Sequence, residues 1–336
     1  MSSLRRYVVV RLLLAIPMVL ILLTMVFFIM RIMPGDPVIA LLGPKAPPSV
    51  VASMRHHLGL DKPLIVQYAS YLWQLLHGNM GTSMLTERPV FQEVMERFPA
   101  TLELTLYAML FAVLIGIFMG TESARRQDSF GDIFGRMYTI IIYSVPVFWL
   151  GMLFQVIFGV NLHWLPISGR VSPMMDPHKI TSLYTIDALL TGDWESFKDV
   201  VAHLVLPAVT LGLVISSIFV RMVRGNMVLT LNMDFVRAAR ARGIREKAVV
   251  YRHALKNALV PILTIMGLQF ALLLAGAVLT ETTFSWPGIG SYLIMRIRYR
   301  DFAGIQGAIV FYALLVVTVS ILIDVIDALV DPRVRY

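Results

Sequence analysis

Six stretches of this chain are apolar over lengths near the ~20 residues a helix needs to cross a bilayer. They are Leu12 to Met33, Ala100 to Thr121, Met137 to Val160, Leu204 to Val220, Ala258 to Thr280 and Ala303 to Ile323. The fourth is short, with Pro207 read into its first turn; Pro146 sits near the middle of the third and is expected to kink it. Only 15% of the 336 residues are charged and the mean hydropathy is +0.75. A soluble domain carries ~25% charge, so the deficit and the long runs together indicate a polytopic membrane protein.

The distribution of charge sets an expected topology. The formal net charge is +8 and the isoelectric point about 9.8, a balance that would suggest a nucleic-acid partner in a soluble chain. Here the basic residues gather between apolar runs: Arg5, Arg6 and Arg11, then Arg125, Arg126 and Arg136, then Arg221 and Arg224, and last Arg333 and Arg335. Positive loops stay in the cytoplasm, so no nucleic acid is expected and both termini are placed inside. The first run is too long for a signal-peptide core and no small-x-small cleavage site follows, which favours an uncleaved anchor. With no cysteine, a disulfide, a thiol nucleophile and a thiolate metal site are all excluded.

The fold expected is all-α, with six transmembrane helices and an external helical insertion. Residues 1–33 hold the N-terminus and first span. Residues 34–99 form the insertion, with MPGDP, the amphipathic segment Leu64 to Leu76 and, between them, LGLDKP (Leu58 to Pro63). Residues 100–336 hold a five-helix core with a cytoplasmic loop at 225–257. Two further external loops are Asn161 to His203 and the segment Glu281 to Asp301, which contains FSWPGIG.

No GxxxxGK[ST], HExxH or GxSxG motif occurs, so neither a phosphate-cradling loop nor these hydrolytic sites are encoded. His56 and His57 are adjacent but lack metal-ligand spacing. Glu103 and Glu281 are placed at external helix ends and Asp324 and Asp327 at the inner end of the last span, all able to reach the interface. Ion-coupled carriers bury such groups near mid-membrane, so a carrier working alone is disfavoured.

Two constellations remain. Asp234 to Asn257, DFVRAARARGIREKAVVYRHALKN, is a long polar interruption rich in helix formers and reads as two short helices broken at Gly243. It is either a docking element or a solvated basic loop on anionic headgroups. The fifth span carries Gly267, Ala271, Ala275 and Gly276 with the lone polar Gln269, either a close-packing face between helices or a pore lining.

The stretch Arg237, Ala238, Ala239, Arg240, Ala241, Arg242, Gly243 resembles the EAA loop of ABC importer permeases, with Arg237 at the family's Glu and Lys256 at its Pro. The following His253 to Ala258, HALKNA, is similar to the dipeptide/oligopeptide branch. So are RFPATLEL (Arg97 to Leu104), ISGRVS (Ile167 to Ser172), LLAGAVLTETTFSWPGIG (Leu273 to Gly290) and DPRVRY (Asp331 to Tyr336). The resemblance spans essentially the whole chain; nickel and glutathione permeases share most of these motifs. It implies a bacterial or archaeal cell-membrane complex with a second permease, two cytoplasmic ATPases and an extracytoplasmic binding protein. ATP and magnesium would then be held by the ATPases and no cofactor by this chain. The loop, with His253 and Lys256, would seat in an ATPase groove. Trp164, Trp194 and Trp286, on the external loops, are the candidate face for the binding protein.

Overall fold

The computed structural model describes residues 2–32, 36–43 and 45–330. Most of MPGDP and all of DPRVRY therefore lie outside the described residues, as do the side chains of Arg5, Arg6, Arg11, Asp324 and Asp327. Among the described residues the regular structure is helical, apart from one isolated bridge between Thr82 and Pro89. The first long helix is α1 (Ser2–Ile32). The short helices α2 (Pro37–Leu42), α3 (Pro48–His57) and α4 (Leu64–Leu76) make up the insertion, and α5 (Val90–Arg125) follows. A bent pair comes next, α6 (Phe130–Ser144) and α7 (Val147–Phe154), the latter prolonged by a π-helical turn, Gln155–Asn161. Then come α8 (Tyr184–Thr191), the 38-residue α9 (Trp194–Leu231), α10 (Asp234–Ala241) and α11 (Glu246–Ala248). A second π turn (Val249–Ala254) leads into α12 (Leu255–Gly276); α13 (Val278–Thr283), α14 (Ile289–Arg298) and α15 (Phe302–Val330) complete the chain.

Five helices are long and apolar enough to span by themselves, and the α6–α7 pair, bent by 100°, makes a sixth span if it counts as one. Packing decides that it does. A methyl group added at Gly212 would fall 2.7 Å from the Ala108 carbonyl, one at Gly116 2.3 Å from Phe219 Cβ, and one at Gly120 2.7 Å from Val223 Cβ. The contacting numbers rise together along both helices, so α5 and α9 run parallel. The chain must cross back between them. The bent pair does so: it starts with Tyr138 bonded to Ser216 and Asp132 bonded to Arg224, and reaches Thr283 and Phe284 at Gly151. Helix α12 is antiparallel to both, with Ala258 and Ile262 beside Ala124 and Met227 at one end and Leu273 and Ala277 beside Ala100 and Leu104 at the other.

Several boundaries depart from the sequence expectation. Pro146 breaks the third span outright, because Val145 before it is pushed into extended backbone (φ −88°, ψ 126°). Helix α5 begins at Val90 and carries Pro99 inside it, so it runs straight through the boundary drawn at residue 99. Helix α9 begins ten residues before Leu204, capped by Asp193, which accepts from the Ser196 N–H at 3.0 Å; Pro207 therefore lies well inside the helix. The polar residues Glu195, Lys198 and Asp199 hide those first turns from a hydropathy reading. Leu106, Leu110, Leu114 and Phe118, four apart on α5, are 41–65% exposed, an outward stripe suited to lipid.

Candidate functional site

The end of the bundle that collects Arg125, Arg126, Arg136, Arg221 and Arg224 also carries the polar interruption. Helix α10 is short and two-faced. Val236 and Ala239 are buried in one apolar cluster with Ala124, Val223, Met227, Val249, Val250 and Ala254. Arg237, Ala238, Arg240, Ala241 and Arg242 are exposed. The cluster joins the C-terminal ends of α5 and α9 to the start of α12, and Tyr251 bonds Glu122 across the same seam.

Gly243 closes α10 with φ +73°. Its N–H donates to the Arg240 carbonyl at 2.9 Å and the Ile244 N–H to the Ala239 carbonyl at 3.3 Å. This pair of bonds is the Schellman arrangement that ends a helix on a left-handed residue. A Cβ at Gly243 would meet nothing within 4 Å, so backbone conformation, not space within this chain, asks for glycine. Arg240 reaches over the break to Glu246, with contacts of 3.1 and 2.8 Å.

Two expectations change here. The second short helix does not stand alone: from Glu246 it runs through the π turn into the membrane span. Ala239, expected to press against a partner, is 3% exposed and packs inside its own chain, because α10 turns its small-residue face inward. His253 is half-buried and Lys256 exposed, both on the helix after the break.

The fifth-span residues divide. A Cβ on Gly267 would strike Ile323 of α15 at 2.5 Å, and Ala271 is 1% exposed. Both serve packing within the chain, which corrects the pore-lining alternative for them. Gln269 and Ala275 are half-buried, and Gly276 ends the helix. Of the three tryptophans, Trp164 and Trp194 are 68% and 62% exposed, but Trp286 is fully buried with its indole N–H donating to the Ala100 carbonyl at 2.8 Å. Trp286 is therefore removed from any external face.

The opposite end is held by buried charges that sequence reading placed at an accessible interface. Glu103 is 1% exposed; it accepts from Arg170 at 2.6 Å and from the Thr185 N–H at 2.7 Å. Glu93 accepts from Arg296 at 2.8 Å, and Arg296 also approaches Asp301 at 3.3 Å. Glu281 is 0% exposed and accepts from Thr101 Oγ at 2.6 Å and the Ser291 N–H at 2.9 Å. A Cβ at Gly288 would lie 2.2 Å from its carboxylate, which explains the glycine after Trp-Pro. RFPATLEL, ISGRVS and the LTETTFSWPGIG stretch thus bind one another: Arg170 to Glu103, Glu281 to Thr101, Trp286 to Ala100. The signal available in the sequence was charge inside those motifs, but pairing across 67 positions cannot be read from spacing.

Residues 4–105 match the model of the N-terminal part of binding-protein-dependent transport system membrane components, and residues 112–336 match the model of the inner membrane component of such systems. Curated relatives agree along nearly their whole length. A dipeptide transport system permease protein of Alkalihalophilus pseudofirmus is 40% identical over 330 residues, 98% of this chain and 99% of the relative. A di/tripeptide transport system permease protein of Pseudomonas aeruginosa is 43% identical over 311 residues, 92% and 93% of the two chains. A glutathione transport system permease protein of Salmonella paratyphi A is 38% identical over 330 residues, 98% and 99%.

Proposed function

The chain belongs to the family of binding-protein-dependent transport system inner membrane components, and from that premise we propose that it is the permease of an ATP-driven importer of di- and oligopeptides. The observation that carries the substrate class is the full-length similarity to dipeptide and di/tripeptide permeases. The observation that carries the coupling role is α10, exposed at the basic end yet fixed by its buried face to three spanning helices.

With a second permease it encloses the path. ATP and magnesium are bound and ATP is hydrolysed by two separate cytoplasmic subunits; this chain supplies no cofactor site. Both termini and α10 face the cytoplasm, because six crossings return the chain to one side and the arginines choose which. The insertion, Trp164 and Trp194 face outward, toward an extracytoplasmic binding protein. When the ATPases close, they push on α10, and the continuous helix from Glu246 carries the displacement into the membrane. The middle of each span holds no Asp, Glu, Lys, Arg or His, and the carboxylates Glu93 and Glu103 are paired with arginines, which supports an ATP-driven subunit over a carrier working alone.

Cells lacking the gene should lose ATP-dependent uptake of labelled dialanine and regain it with this chain. The glutathione relative favours a second reading, so labelled glutathione is the companion substrate. Restored glutathione uptake without dipeptide uptake would replace the substrate class; uptake driven by an ion gradient without ATP would overturn the permease assignment.

A further inference from the structure

A cavity of about 490 Å³ lies between the insertion, the last turn of α1 and the first turns of α15. That is room for one small ligand group. Three of the residues that line it carry a buried polar atom with no hydrogen-bond partner: Arg31 at Nη1, Tyr71 at Oη and Gln306 at Nε2. These are three of the eight such side-chain atoms among the described residues. Buried polar atoms without partners are uncommon and call for a cause.

Each of the three can donate. Gln306 is only 6% exposed. Burial pushes the Tyr71 phenol well above its ordinary range, so it stays protonated. The Arg31 guanidinium is fixed in place: Nε donates to Gln67 Oε1 at 2.9 Å, and the group sits 4.9 and 5.4 Å from the Phe27 and Phe302 rings. No Asp or Glu lines this cavity, while His56, His57 and Lys62 of the LGLDKP region stand at its walls. Asp36 and Asp61, beside α2 and between α3 and α4, are already engaged by Arg55 and His56. Donor side chains around one cavity, the basic residues Arg31 and Lys62 among them, a planar guanidinium fork and a wall free of acids fit an anion with several acceptor oxygens.

Helix α4 sets the depth. Ile65, Trp73 and Leu76 on one face are 80%, 65% and 82% exposed, whereas Gln67, Tyr71 and Gln74 on the opposite face line the cavity. One bare apolar and aromatic face on a helix beside the end of a span suits the headgroup layer. We infer that the cavity binds an oxyanion, and that its occupant is the phosphate of a phospholipid headgroup in the outer leaflet.

The test uses the full chain, purified in a neutral detergent and freed of lipid, with thermal unfolding as readout. Short-chain phosphatidylglycerol, inorganic phosphate and N-acetyl-dialanine are titrated separately. Phosphatidylglycerol should raise the midpoint of the wild type. Its half-maximal concentration should rise about tenfold or more in Arg31→Gln, which loses a charged donor. In Tyr71→Phe, which keeps the packing, it should rise by about threefold. Without ligand, Tyr71→Phe should be no less stable than wild type, since the hydroxyl it loses has no partner. If phosphate or the acetylated peptide gives the same shifts with the same dependence on Arg31 and Tyr71, the oxyanion site stands and its source is soluble. If all titrations of the three proteins superimpose, the cavity holds water alone and the inference is overturned.

Discussion

The two ends of this molecule are built on opposite plans. At the end away from the basic loops charge is buried: Glu93, Glu103, Asp301, Arg170 and Arg296 are each no more than 6% exposed and bonded to one another across distant segments. At the basic end charge is exposed: Arg237, Arg240 and Glu246 are 43–70% accessible, and small apolar residues hold the element beneath them. Buried pairs tie geometry tightly, because a carboxylate out of water needs its partner. Exposed pairs contribute little and leave the surface free to meet another protein. A frame of buried ion pairs at one end and a basic end held by apolar packing suit the lever proposed for this chain.

The largest effect should come from breaking the buried ion-pair network. Arg296→Met would leave Glu93 and Asp301 buried without their cation, which typically costs ~3–5 kcal/mol. The unfolding midpoint in detergent should drop well below that of any basic-end charge variant. A midpoint equal to wild type would erase the contrast between the two ends.

The next effect sharpens the contrast. Ala239→Trp overfills the cluster under α10, and overpacking typically costs ~1–3 kcal/mol. Limited proteolysis of the chain without partners should then cut near Arg242 and Arg245 more readily. An unchanged digest combined with lost ATPase binding would return Ala239 to the role of a contact residue.

The third effect depends on pH. Glu281 lies beyond the end of its span, and burial raises its carboxyl from 4.5 to about 7 against the donors Thr101 and Ser291. A folded value above the unfolded one stabilises below about 4.5, and that contribution is lost as pH rises through about 7. The wild type should lose thermal stability between these values, and Glu281→Gln should show a flatter profile. Parallel profiles would mean that the carboxylate is ionised throughout.

Much of this architecture was legible in the sequence because lipid imposes length. The six apolar runs mark the six crossings, and Gly243 marks the break after α10 since few other residues accept its backbone conformation. What stayed hidden depends on partners far apart in the chain. Pro99 and Pro207 read as boundaries, yet the helices run through them. Trp286 reads as a surface aromatic until the Ala100 carbonyl is seen beneath it. Ala239 reads as a docking surface because a small-residue run looks the same whether it faces a partner or its own core. Arg31, Tyr71 and Gln306 carry no local pattern at all; only the fold brings them to one cavity.

The coupling role proposed for the basic end rests on backbone shape, and valine and asparagine at Gly243 test it most directly. The two side chains are close in size, and a Cβ there meets nothing within 4 Å of this chain. Asparagine tolerates positive φ, whereas a β-branched residue pays ~1–2 kcal/mol or more. Uptake of labelled dialanine and co-purification of the ATPases are measured for both, with Arg240→Gln as the charge control. Gly243→Asn and Arg240→Gln should stay within a few-fold of wild type, and Gly243→Val should lose both uptake and bound ATPase while still inserting. A Gly243→Val protein that transports with its ATPases bound, or an asparagine variant as damaged as the valine one, would contradict it.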